Sequence, residues 1–175
     1  MKKLFKYNSN LVFTLVFVAF SFFYGFHEYL FSRPHSYHAW RQADCGAIAL
    51  NYYQDGMNFF EPELHQQNAD DGKSGHNVSE FPIINYFVAS LYHIFGYHEF
   101  IFRIVSLLIF YLGLLFLFKF LKKAFLDDFW AIIVSSIVML SYITIYYSIS
   151  FLPNTSALAF VFIGWYFFYL YYESN

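Results

Sequence analysis

Four long stretches of this chain, 11–31, 101–120, 129–150 and 157–172, are almost free of charged side chains. A predominantly apolar helix of about 20 residues is what a bilayer core requires. The first stretch carries its only histidine and acid, His27 and Glu28, near its far end. The fourth is short and ends in aromatic residues. The runs predict an all-α, polytopic membrane protein with about four transmembrane helices. Composition agrees: 13% of residues are charged and 59% apolar, with 26 Phe and 17 Tyr among 175, whereas a soluble domain carries about 25% charged residues.

The first run could also be read as a signal peptide behind a basic N-terminus. It is long for an h-region and no small-x-small cleavage site follows it, so it is expected to remain as a helix. Net charge is −2, which excludes the basic footprint of a nucleic-acid binder, and the single cysteine, Cys45, excludes an internal disulfide. No internal repeat or biased polar tract is present.

Six of the seven lysines fall in two clusters: Lys2, Lys3 and Lys6 ahead of the first run, and Lys119, Lys122 and Lys123 between the second and third. The positive-inside rule puts both on the cytoplasmic side. Residues 1–10, 121–128 and 173–175 are then cytoplasmic, and residues 32–98 and the turn 151–156 lie on the outer face.

The 32–98 segment concentrates the chemistry. It holds seven of the twelve acids and six of the seven histidines, against Arg33, Arg41 and Lys73 as its only strong bases. Two short interfacial helices are expected in it. Over about 38–54, Trp40, Ala43, Ala47 and Leu50 form one stripe and Arg41 with Asp44 another, the spacing of an amphipathic helix on a membrane surface. Over 82–95, Ile84, Phe87, Val88, Leu91 and Phe95 share a face, and the segment is too short to span. Pro82 suits a first helical turn and leaves Glu80 just outside the helix start. Residues 54–79, rich in Gly, Asn, Asp and Gln, read as a mobile loop.

Candidate functional side chains follow from this layout. Asp44, screened by aromatic neighbours, could act as a general base with a raised pKa; the alternative is a surface pair with Arg41 at i, i+3. Glu80 could meet a ligand hydroxyl or a cation, or only complement a helix dipole. Arg103, two residues into the second run, faces a headgroup phosphate, snorkels, or turns to the protein interior. His35, His38, His65 and His76 with Asp70 and Asp71 could in principle hold a divalent cation, although their spacing matches no ligand signature. Asn77-Val78-Ser79 and Asn154-Thr155-Ser156 are formal glycosylation sequons.

The order of the pieces is more specific than any one of them. Trp40-Arg41-Gln42-Ala43-Asp44 opens the outer loop, Glu80-Phe81-Pro82 precedes an apolar helix ending at Phe95-Gly96, Arg103 and Ser106 follow, and Phe151-Leu152-Pro153 forms the next outer turn. This series, spanning residues 1–172, resembles the GT-C glycosyltransferases, in particular the family 39-like branch of aminoarabinose transferases and protein O-mannosyltransferases. The resemblance implies inverting transfer of a sugar from a polyprenyl-phosphate donor to an acceptor glycan, lipid or protein, on the outer face of a bacterial cell membrane. It implies Asp44 as general base or as the group that orients it, Glu80 on the acceptor or a cation, and Arg41 or Arg103 facing phosphate. In many relatives an acid sits three residues ahead of the loop arginine; here that position is His38, which could take the base role as a neutral imidazole. Relatives carry many more spans and a soluble C-terminal domain, so the resemblance is to the N-terminal part of such an enzyme. The alternative is a non-catalytic small membrane protein that binds lipid or a partner subunit. A transporter fits least, because the charged residues within the runs, Glu28 and Arg103 near the outer edge and Lys119 in the cytoplasmic cluster, all lie near their ends.

Overall fold

The computed structural model describes residues 8–66, 71–72, 74–76 and 80–174. These residues form helices α1 (Ser9–Phe23), α2 (Phe26–Tyr29), α3 (Ala39–Asp55), α4 (Ile83–Phe95), α5 (Glu99–Phe125), α6 (Asp128–Ile137), the 3₁₀ turn η1 (Val138–Leu140), α7 (Tyr142–Ser148) and α8 (Asn154–Ser174). Among the described residues there is no strand, only an isolated bridge between Glu63 and His76. The all-helical expectation is met.

Two helices, α5 and α8, are long and apolar enough to cross a membrane. At about 1.5 Å per residue they measure roughly 40 and 32 Å, against a hydrocarbon core of about 30 Å. The other two apolar runs are interrupted. The 11–31 run, expected as one helix, stops at Phe23: Gly25 has φ +67°, and the N–H groups of Tyr24 and Gly25 close the helix on the carbonyls of Phe20 and Phe22. The left-handed glycine ends the helix at little cost, and α2 follows as a separate turn. The 129–150 run bends by 78° at Ser141 between η1 and α7. There the Thr144 hydroxyl donates to the carbonyl of Val138, ahead of the break, and to that of Ser141, which also accepts the Ile145 N–H as the first bond of the next helix.

Two compact units are distinguishable. The first comprises residues up to Tyr29, Leu107–Ser148 and Asn154 onward. Its core stacks Phe13 on Phe118, with ring centroids 5.0 Å apart, and gathers Phe17, Phe110, Leu114, Met139 and Phe162. Gly113 allows α5 to meet α8 closely: a Cβ there would fall 2.4 Å from the Cα of Ala159. Helix starts are capped by Asn8, which accepts from the N–H of Asn10, and by Asp127, which accepts from Phe129 and Trp130. Lys122 reaches Ser9 and Asp128, and Lys123 pairs with Glu173. The start of α1, the end of α5, the start of α6 and the end of α8 therefore share one end of this unit. Lys2, Lys3 and Lys6 lie outside the described residues.

The second unit, Leu30–Ser106 with Ile149–Pro153, holds the candidate site. Its centre is the packing of α3 on α4, where Ile48, Tyr52 and Ala89 are buried with Tyr53, Met57, Leu64 and Tyr86 against them. The stripe of Trp40, Ala43, Ala47 and Leu50, expected to lie on a membrane surface, is exposed or half-buried and is distinct from the face of α3 that packs on protein. That face carries Gln42, Cys45, Ile48, Ala49 and Tyr52. In α4 the expected shared face divides: Ile84 and Val88 are buried, whereas Phe87 and Phe95 are exposed. An apolar helix that is greasy on several sides does not reveal from periodicity which side meets protein.

The segment after α3, expected to be mobile, is tied down where it is described. Asn51 donates to the Glu63 carbonyl at 2.8 Å, Tyr52 to that of Phe59, and Tyr86 to that of Met57. The Leu64 N–H donates to the Gly75 carbonyl at 2.7 Å. Residues 67–70, 73 and 77–79, including Asp70 and the first sequon, lie outside the described residues.

Candidate functional site

Helix α3 presents Arg41, Asp44 and Cys45 within one turn, and Glu80 reaches that turn from the segment just ahead of α4. The two helices are registered by Asn85, a buried side chain of α4 that donates to the Cys45 carbonyl at 2.7 Å. Pro82 stands at the cap position immediately before α4. Glu80 is thereby carried onto α3 rather than left at the end of its own helix.

The Arg41 guanidinium donates through both Nε and Nη2 to a single carboxylate oxygen, Oε1 of Glu80, with Nε at 2.6 Å. The other oxygen, Oε2, accepts from the Cys45 thiol at 3.5 Å. The Glu80 side chain is 12% exposed and that of Arg41 36%, so the carboxylate is held inside while one edge of the guanidinium remains open. Among the described residues, Nη1 of Arg41 carries no hydrogen bond. Burial, then the charge of Glu80 and the hydrogen bond to it, push the Cys45 thiol up to about 12. Cys45 is therefore a protonated donor, not a thiolate nucleophile.

Asp44 differs from the spacing-based alternative. Arg41 pairs with Glu80 and not with Asp44, and among the described residues no hydrogen bond or ion pair reaches the Asp44 carboxyl. Partial burial, reinforced by the negative charge of Glu80, raises its pKa. A carboxylate with no fixed partner and a raised pKa has the properties of a proton acceptor.

The remaining sequence-derived candidates are placed elsewhere. His38 occupies the position before α3 in a left-handed conformation, φ 56°, with no side-chain capping bond. Its ring is exposed, and among the described residues it joins neither Asp44 nor Glu80 through a hydrogen bond. Arg103 is 2% exposed and turned to the protein interior. It donates to the carbonyls of Ser32 (3.0 Å), Arg33 (3.1 Å) and Ile149 (2.5 Å), and its guanidinium lies 4.7 Å from the Phe151 ring centroid. Phe151 in turn packs at Gly46 of α3, beside Cys45. Arg103 thus fastens two pieces of chain, 32–33 and 149–151, to the start of α5 and does not face outward to a headgroup.

Sequence reasoning missed Gln42, which is buried and donates to the carbonyls of His35 (3.1 Å) and Tyr37 (3.4 Å), and so sets the chain leading into α3. It missed the thiol contact as well. The i, i+4 spacing of Arg41 and Cys45 puts both on one side of α3 but carries no sign of Glu80, the thiol's partner. Among the described residues no three His, Cys, Asp or Glu side chains converge as a metal site. His76 instead pairs with Glu63 at 3.7 Å, and His35 sits on the Arg33 carbonyl.

The cluster can therefore offer a proton acceptor at Asp44, a guanidinium edge at Arg41 and a fixed negative charge at Glu80, within one helical turn. No protein-family model, curated protein or solved structure matches the chain.

Proposed function

We propose that the chain acts in sugar transfer from a polyprenyl-phosphate donor to an acceptor hydroxyl at the outer face of a cell membrane. In this reading it crosses the membrane four times, with α5 and α8 as continuous crossings and α1–α2 and α6–η1–α7 as interrupted ones. The observation that carries the proposal is the Asp44 carboxyl, unpaired and with a raised pKa, next to a guanidinium whose free edge suits a phosphate oxygen.

The chemistry assigned to these residues is specific. Asp44 takes the acceptor hydroxyl proton as its oxygen bonds to the anomeric carbon. The bond from that carbon to the donor phosphate breaks with inversion. Negative charge that develops on the departing lipid phosphate is met by Arg41, while Glu80 holds Arg41 in place and lends negative charge near the cationic sugar. Arg103 is assigned to positioning, through Phe151 and α3. The test is transfer from a radiolabelled polyprenyl-phosphate sugar in membranes carrying the protein, compared with Asp44→Asn; transfer that survives unchanged removes Asp44 from the mechanism.

A second reading, a non-catalytic membrane protein that binds lipid or a partner subunit, is favoured by the closure of Arg41 on Glu80, the arrangement of a structural ion pair. It predicts no transfer by the chain and stable co-purification of a partner.

A further inference from the structure

Trp40 and Asp44 stand one turn apart at the start of α3. Side chains at that i, i+4 spacing are neighbours, with Cβ atoms about 5–6 Å apart. Helical side chains lean toward the helix N-terminus, so the Asp44 carboxyl is directed back toward the turn that carries Trp40. Trp40 is 70% exposed. Among the described residues its indole makes no ring contact or hydrogen bond, and no hydrogen bond or ion pair reaches the Asp44 carboxyl. The next residues along this side, Ala43 and Ala47, are exposed and half-buried, so only their methyl groups rise from α3 beside the pair.

A ligand for this pair needs an apolar face for the indole and, at its edge, a hydrogen-bond donor for the carboxylate. An acyl chain has the first and lacks the second, and seating Trp40 among acyl chains would draw a carboxylate without a partner toward hydrocarbon. An ammonium group would suit both the ring and the carboxylate, but it is opposed by Arg41, whose guanidinium belongs to the same turn and keeps one edge open. A pyranose meets neither objection. Its C–H face is apolar, its rim carries neutral hydroxyls, and it bridges side chains one helical turn apart.

We infer that Trp40 is the platform on which a sugar ring of the acceptor stacks, with one ring hydroxyl held by the Asp44 carboxylate. The acceptor is then a glycan or glycolipid, in which the reacting hydroxyl belongs to a sugar, and not a hydroxyl side chain of a protein. The assignment to the acceptor rests on the proposed transfer; the sugar contact itself does not.

The test uses the full chain in phosphatidylcholine nanodiscs with Trp130→Phe and Trp165→Phe, which leave Trp40 as the only tryptophan. Its fluorescence is titrated with the methyl pyranosides of glucose, mannose, galactose and N-acetylglucosamine, and with tetramethylammonium; separate discs contain brominated phosphatidylcholine. A saturable change with at least one pyranoside is expected, weakened about tenfold or more by Asp44→Ala, the scale of a lost hydrogen bond to a charged group. Saturation by tetramethylammonium alone, quenching by brominated lipid without a pyranoside response, or no response to any probe overturns the inference. Pyranoside binding by a chain that transfers no sugar in membranes refutes the proposed transfer, and the acceptor assignment with it, while the sugar contact stands. Where transfer occurs, Trp40→Ala should raise KM for a glycan acceptor about tenfold with kcat little changed, and Trp40→Phe should recover most of the loss. An unchanged KM in Trp40→Ala overturns the inference alone. Protection of the Cys45 thiol from a maleimide confirms the fold of each variant.

Discussion

Replacing Arg41 by Ala tests the central cluster through its neighbour Cys45. The change strands Glu80, whose side chain is 12% exposed, with only the thiol at 3.5 Å as a donor. A fully buried charge deprived of its partner costs about 3–5 kcal/mol and an exposed pair about 0–1. Arg41, at 36% exposure, lies between these cases, and a loss of about 1–3 kcal/mol follows. Cys45 is the only thiol and is buried, so its reaction with a maleimide requires opening of the α3–α4 packing. Where reclosing outpaces labelling, the rate scales with the opened population, and about 1–3 kcal/mol corresponds to roughly 5–150-fold faster labelling. Glu80→Gln in the Arg41→Ala background should recover part of the loss, with a coupling of about 1–2 kcal/mol. Labelling at the parent rate in Arg41→Ala, or strictly additive effects in the double variant, would refute the ion pair as the clasp of this site.

Further outcomes follow from neighbouring residues. Because burial and Glu80 raise the Asp44 pKa, ionised Asp44 opposes folding: the penalty is absent below the ordinary carboxylate range, grows as pH rises toward the folded-state pKa, and is constant above it. Asp44→Asn should therefore stabilise at neutral pH and flatten this part of the pH–stability curve, measured by the same thiol assay; an unchanged curve contradicts the shift. Arg103→Ala leaves the carbonyls of Ser32, Arg33 and Ile149 without their donor and should cost about 3–5 kcal/mol, with Arg103→Lys recovering little because it lacks the planar fork. Gly113→Val should destabilise by about 1–3 kcal/mol or more in detergent melts, because its Cβ meets the backbone of Ala159; wild-type melting would show that α5 and α8 do not approach there.

The helical class and the two continuous apolar helices were legible because run length is a direct readout of side-chain polarity. Where the runs break was harder to see, since hydropathy counts side chains and the breaks are backbone events. Gly25 was a visible warning within 11–31, whereas the bend at Ser141 is held by a hydroxyl that hydropathy scores only as mildly polar. Asp44, Arg41 and Glu80 could be singled out individually, yet the pairing of Arg41 with Glu80, 39 residues away, depends on how α4 docks on α3. Spacing along one helix could suggest only Arg41 with Asp44. Arg103 was legible as a cation that must be accommodated, but its three carbonyl partners come from chain segments far apart in sequence.

The most direct test of the account is sugar transfer by membranes carrying the protein or its Asp44→Asn variant, supplied with a labelled polyprenyl-phosphate sugar and acceptor, with the thiol assay run on the same samples. The account predicts transfer by the parent and a loss of at least about 100-fold in the variant, the scale of a missing general base, while Cys45 stays at least as well protected. Equal transfer by both, or loss of transfer only alongside loss of Cys45 protection, would contradict it.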